Sequence, residues 1–165
     1  MNMNEQDRLA LSRFDAVWAR VQPESAAAQT APCPAPDDAE ALRSLIDQTS
    51  AAAKVLCVLA RREPRCAARL RALACERSLM ARQLQGAYYL LTAERHTPGA
   101  SCTVRHESAA CLRCLWQTSR NQAAHARRFA DETDEPLLQT LYAELAELLD
   151  AQCEALWEIL CAVLG

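Results

Sequence analysis

In residues 73–84, Leu-Ala-Cys-Glu-Arg-Ser-Leu-Met-Ala-Arg-Gln-Leu, apolar side chains recur every three or four positions. The same repeat continues from Leu70 to Leu91 and is interrupted by one charged residue, Arg77. A second stretch with this pattern runs from Leu145 to Leu156. Because a period of 3.6 residues places such side chains on one face, both stretches are predicted to be amphipathic helices.

Two further stripes complete a set of four predicted helices. One runs from Asp38 to about Arg62, and another follows residue 107 and ends near Ala130. Short turns at Pro64 and at residues 133–136 separate the helices within each pair, whereas residues 93–107 form one long connection containing Pro98. Short connections place helices antiparallel, so the sequence predicts an all-α, up-down four-helix bundle of two antiparallel helical hairpins joined by one long crossover.

The chain is predicted to have three parts. Residues 1–21 place apolar side chains on one face of a short amphipathic helix, and residues 22–37 form a Pro/Ala-rich linker. Residues 38–165 form the four-helix bundle. The N-terminal helix is available to dock on the bundle or on a partner protein, and homo-oligomer formation is the other expectation.

Composition excludes several classes of function. The 165 residues carry a formal net charge of -3, which gives no basic footprint for nucleic acid. No apolar run approaches the roughly 20 residues needed to cross a bilayer, and residues 1–10 do not resemble a secretory signal. We therefore expect a cytoplasmic protein that binds neither nucleic acid nor membrane, with its nine cysteines reduced.

Four polar residues interrupt the four apolar stripes: Thr49, Arg77, Ser119 and Gln152. If the stripes face one core, these side chains converge. A guanidinium in a core is costly unless it is paired. Two interpretations stay open: Arg77 bonds to Thr49, Ser119 or Gln152 and to a carboxylate such as Glu76 or Asp47, or it lies at the stripe's edge and reaches solvent.

The stretch from Leu73 to Leu84 resembles the rubrerythrin and ferritin-like pattern Leu-Ala-x-Asp-Glu-x-x-His-Ala-x-x-Leu. The matching residues are Leu73, Ala74, Glu76, Ala81 and Leu84. Residues 13–23 and 87–95 also resemble segments of small bacterial ferritin-like proteins. The resemblance implies a ferritin-like bundle in which each half supplies a Glu from its first helix and a Glu-x-x-His from its second to a di-iron centre.

When the six ligand positions of that family are aligned with this sequence, none of them falls on a Glu or a His. They are Thr49, Arg77 and Met80 in the first half and Ser119, Leu149 and Gln152 in the second half. An iron pair needs carboxylate oxygen and imidazole nitrogen, so a degenerate di-iron site without metal is expected. The resemblance alone would imply oxygen, peroxide or iron chemistry, but because the six ligands are missing we expect a non-catalytic scaffold or binding module rather than an enzyme.

The cysteines leave an alternative open, a metal-binding oxidoreductase or metal-storage protein with a rearranged site. Zinc could use Cys102, His106, Cys111 and Cys114, and copper(I) could use thiolates together with Met80. The Cys111-x-x-Cys114 spacing has weak specificity, which argues against zinc. No two cysteines are four residues apart, which argues against copper. No cofactor is expected, and ordinary thiols are the favoured interpretation.

Overall fold

The computed structural model describes residues 36–99 and 107–164, which are all-α and contain no strand. The helices are α1 (Pro36–Arg62), α2 (Ala67–Thr92), α3 (Ser108–Glu132) and α4 (Pro136–Leu164). A short 3-10 helix, Pro64–Cys66, lies between α1 and α2. The predicted helix within residues 1–21 and the predicted linker up to residue 35 lie outside the described residues.

The observed helix ends lie close to the predicted ones. Helix α4 begins at Pro136, the predicted first-turn proline, because proline has no backbone N–H to leave unpaired there. Helix α1 begins at Pro36, two residues before the predicted boundary, for the same reason. Pro64 opens the 3-10 helix rather than α2 itself, and α2 begins at Ala67.

The four helices pack as the two predicted hairpins. Helix α1 packs along α2 and α3 packs along α4, and the pairs α1–α3 and α2–α4 join the two hairpins. Exposed ion pairs reinforce two of these contacts: Arg69 of α2 pairs with Glu158 of α4, and Arg127 of α3 pairs with Asp150 of α4. Exposed pairs of this kind contribute little to stability, so burial of the apolar stripes holds the bundle together.

Two apolar clusters divide the core along the bundle axis. The upper cluster joins the start of α1, the end of α2, the end of α3 and the start of α4, with residues such as Leu42, Leu84, Ala126 and Tyr142. The lower cluster joins the opposite ends of the same helices, with residues such as Leu56, Leu70, Leu112 and Leu156. The helices therefore run down, up, up and down, because the crossover returns the chain to the lower end, where α2 began.

The described start of the crossover is fixed to α1. Ala93 ends α2 with a positive φ of 57°, and its N–H donates to the Tyr89 carbonyl over 2.8 Å. His96 Nε2 lies 2.9 Å from Asp47 Oδ1, which also accepts from the Gly99 N–H over 3.3 Å. Lys54 Nζ donates to the Gly99 carbonyl over 3.2 Å. Asp47 and Lys54 lie successively further along α1, so these contacts direct the chain from the end of α2 toward the lower cluster.

Across residues 36–99 and 107–164, no helix combines the length and the apolar character that crossing a bilayer requires.

Candidate functional site

A layer of buried polar side chains separates the upper cluster from the lower cluster. All four helices contribute to this central polar layer, which consists of Thr49, Arg77, Ser119, Gln122 and Gln152. Each of these residues is at most 3% exposed, and Arg77 is at 0%. The convergence predicted from the interrupted stripes is therefore observed, and Arg77 does not reach solvent.

The Arg77 guanidinium is held by side chains from α3 and α4. Its Nη2 donates to Ser119 Oγ over 2.7 Å and its Nη1 donates to Gln122 Oε1 over 3.1 Å. Its Nε donates to Gln152 Oε1. Three of the five guanidinium N–H groups are thus assigned to neutral oxygen acceptors on two other helices.

The two glutamines extend the network to the remaining positions. Gln122 Nε2 donates to Thr49 Oγ1 over 2.7 Å, which links α3 to α1. Gln152 Nε2 donates to Glu76 Oε2 over 2.8 Å, so this exposed carboxylate reaches Arg77 through an amide rather than directly. Asp47, the other carboxylate considered, instead contacts the crossover. Thr49 and Glu76 therefore support the cation indirectly.

The chemistry of Arg77 follows from its burial. Desolvation lowers the pKa of Arg77 from 12.5 to about 10, and this lowering is partly opposed by the charge that Cys153 carries when it is ionised and by the charge of Glu76. A guanidinium with a pKa of about 10 still carries its positive charge at neutral pH. The centre of the bundle consequently holds one permanent cation among neutral hydroxyl and amide groups.

Cys153, the residue that follows Gln152, lies beside this cation. Its thiol lies 3.8 Å from the Trp116 carbonyl and can donate to that oxygen. Burial raises the pKa of the Cys153 thiol, while Arg77 and Arg120 act in the opposite direction. Because burial is the dominant cause, the group is a protonated thiol at neutral pH rather than a reactive thiolate.

Gln122 is absent from the set predicted from the sequence, although it joins Arg77 to Thr49. It lies three positions after Ser119, on the same helical face, and so continues the polar interruption of α3 by one turn. The ferritin-like pattern has no ligand at this position, so the resemblance does not indicate it. The spacing from Ser119 is the signal that indicates it.

The six positions implied by the ferritin-like resemblance do not fit a di-iron centre. Met80 and Leu149 belong to the upper apolar cluster, one turn away from the layer. The other four positions carry a guanidinium, an amide and two hydroxyls: Arg77, Gln152, Thr49 and Ser119. A donor set without carboxylate or imidazole cannot compensate the charge of two iron ions, and the guanidinium repels them.

The proposed thiol site is only partly within the described residues. Cys102 and His106 lie outside them, while Cys111 is buried in the lower cluster and Cys114 is exposed on α3. Among residues 36–99 and 107–164, no group of three or more His, Cys, Asp or Glu side chains is placed to hold a metal ion. The zinc and copper alternatives stay predictions.

The fold and the polar layer define a class: a four-helix bundle with one crossover and a buried cation at its midpoint. Comparisons with protein-family models, with curated proteins and with solved structures gave no significant match. The ferritin-like resemblance is thus carried only by the residues already quoted.

Proposed function

We propose that this chain is a ferritin-like bundle protein without the di-iron ligand set, and that it acts as a non-catalytic scaffold or binding module. The observation that carries the proposal is the position of Arg77. Its guanidinium is fully buried at the midpoint of the four helices and is hydrogen-bonded from α3 and α4.

The topology supports the family part of this proposal. A ferritin-like bundle has two antiparallel hairpins and one long crossover, and its metal ligands project inward from all four helices. The central polar layer likewise receives side chains from all four helices. The Arg77 guanidinium, which is part of the chain itself, places a positive charge in this layer, where a metal would otherwise supply one.

The side chains of the layer support the non-catalytic part. Arg77 donates hydrogen bonds to Gln122 and Gln152, and apolar side chains close the layer above and below. Catalysis at this point would need a group able to exchange protons or ligands near neutral pH, and a paired guanidinium with a pKa of about 10 is not such a group. The outer surface of the bundle is then the place for function.

Metal content tests the proposal. The full chain is purified under reducing conditions from cultures supplemented with iron and zinc, and metal per chain is measured by elemental mass spectrometry. We expect far less than one iron, zinc or copper per chain, and a melting temperature unchanged by chelator. The matched variant Arg77→Met should be equally metal-free, because it removes a guanidinium rather than a ligand.

Two outcomes would contradict the proposal. Iron near one or two atoms per chain would mean that the layer rearranges to bind metal, and it would restore the oxidoreductase alternative. Zinc or copper near one atom per chain would move the function to the thiols. In that case Cys111→Ser should abolish the metal, whereas Arg77→Met should not.

A further inference from the structure

The outer face of the α1–α2 hairpin carries a basic groove. Its cations are Lys54 and Arg61 of α1 and Arg82 of α2, and no acidic residue lines it. Its floor is formed by the small side chains Ala53 and Ala81. A strip of positive charge on a chain with a net charge of -3 points to a negatively charged partner.

The cations of the basic groove are available to such a partner. Arg61 and Arg82 are exposed and make no hydrogen bond or ion pair with any residue in the described part of the chain. Lys54 is exposed as well, and it is held in place by its bond to the Gly99 carbonyl, a neutral acceptor that leaves its charge uncompensated. Pro98 of the crossover forms part of the rim.

The outer face of α4 carries the complementary charge. An acidic stripe consists of Glu144, Glu147, Glu154 and Glu158, all exposed and spaced by whole or near-whole helical turns. Glu158 pairs with Arg69, whereas the other three make no ion pair with the described residues. Exposed Ala151 lies between Glu147 and Glu154 and would let a second helix pair approach closely.

The spacing of the charges matches. Lys54 and Arg61 are seven residues apart on α1, and Glu147 and Glu154 are seven residues apart on α4. Two turns of helix separate each pair by about 10 Å along its axis. A helix carrying the acidic stripe can therefore place both carboxylates opposite both cations at once, with small side chains of the groove floor facing Ala151.

We propose that the basic groove of one copy of this chain binds the acidic stripe of α4 from a second copy. The two surfaces are different, so the contact is heterologous and adds copies head to tail, forming a ring or an open chain rather than a two-fold dimer. This inference deepens the proposed scaffold role, because it names the partner.

Sedimentation velocity of the full chain tests the proposal over a range of concentrations, in buffers of low and high salt. We expect species larger than a dimer at low salt, and monomer at high salt because exposed charges are screened. Lys54→Glu with Arg61→Glu should weaken association at least tenfold. Glu147→Lys with Glu154→Lys should do the same, whereas the control Arg71→Gln, an exposed arginine elsewhere on α2, should leave it unchanged.

Charge exchange makes the test specific. The two double variants, each defective alone, should assemble with each other into alternating head-to-tail chains, because the unaltered groove of one meets the unaltered stripe of the other and the acidic groove meets the basic stripe. The quadruple variant should regain head-to-tail assembly. Monomer at every concentration in low salt would overturn the proposal, and so would assembly that both double variants retain. Neither result depends on metal, so the proposed absence of a di-iron site can fail or stand separately.

Discussion

Arg77 Nη2 lies 2.7 Å from Ser119 Oγ, and this contact joins the second helix of one hairpin to the first helix of the other. Ser119 in turn donates to the Leu115 carbonyl of its own helix over 2.7 Å, which fixes its hydroxyl oxygen as the acceptor for Arg77. The contact therefore has a defined direction. It couples the two hairpins at the height where the two apolar clusters are separated.

Replacing the cation alone should destabilise the bundle. In Arg77→Met, Gln152 Oε1, Gln122 Oε1 and Ser119 Oγ lose their donor while they stay buried. Leaving buried acceptors unsatisfied costs about 1–3 kcal/mol, after allowing for rotation of the amides. Urea unfolding followed by circular dichroism should give this loss, and an unfolding free energy equal to or above that of the unaltered chain would contradict the hydrogen-bond network.

Replacing the network as a whole is the control. Arg77→Met combined with Gln122→Leu and Gln152→Leu removes donors and acceptors together, so no buried glutamine amide is left unpaired. Such exchanges of buried polar sets for apolar side chains range from neutral to stabilising by about 1–4 kcal/mol. The triple variant should thus be more stable than Arg77→Met, and the same stability in both would show that lost hydrogen bonds are not the cause.

The helices and the convergence of Thr49, Arg77, Ser119 and Gln152 could be predicted because both follow from periodicity. A residue every three or four positions faces the core whatever its chemistry, so a polar residue on that stripe is buried too. The partners of Arg77 could not be predicted in the same way. Whether Gln122 or Asp47 reaches the guanidinium depends on helix rotation and on the path of the crossover, which the sequence pattern leaves open.

The hydroxyl of Tyr142 should be dispensable. Tyr142 is fully buried in the upper cluster, its ring lies 5.8 Å from that of Phe129, and its hydroxyl has no hydrogen-bond partner among residues 36–99 and 107–164. Tyr142→Phe keeps the ring and removes the unsatisfied group, which should raise the unfolding free energy by about 1 kcal/mol. Tyr89→Phe, at a half-exposed site, should change little, and a loss of stability in Tyr142→Phe would show that the hydroxyl has a partner.

A glycine in place of Ala93 should stabilise the C-terminal end of α2. Ala93 has a φ of 57°, a left-handed conformation in which Cβ is crowded and for which glycine carries no penalty. Ala93→Gly should stabilise the protein by about 0.5–1 kcal/mol, since relief of that strain exceeds the entropy glycine adds to the unfolded chain. Ala72→Gly, at an exposed position inside α2, should instead destabilise by about 1 kcal/mol. The same sign for both variants would contradict the left-handed cap.

Cys153 should make the free energy of unfolding decrease at alkaline pH. Burial raises the pKa of its thiol above the ordinary 9.0, so the folded protein keeps this proton at a pH where the unfolded chain releases it. The unfolded state then binds fewer protons than the folded state, and stability falls as the pH rises above about 9. Below pH 9 the contribution of this group is complete and constant.

Melting temperatures between pH 7.5 and about pH 9.5 measure the effect; closer to pH 10, the pKa of Arg77, proton release from that guanidinium in the folded state acts with the opposite sign. Cys153→Ala removes the titrating group and should flatten the alkaline decline, at the cost of some packing at every pH. Cys114→Ala, which removes an exposed thiol from α3, should leave the slope as it is. A slope that is equally steep in the unaltered chain and in Cys153→Ala would mean that the buried thiol titrates alike in the folded and unfolded states.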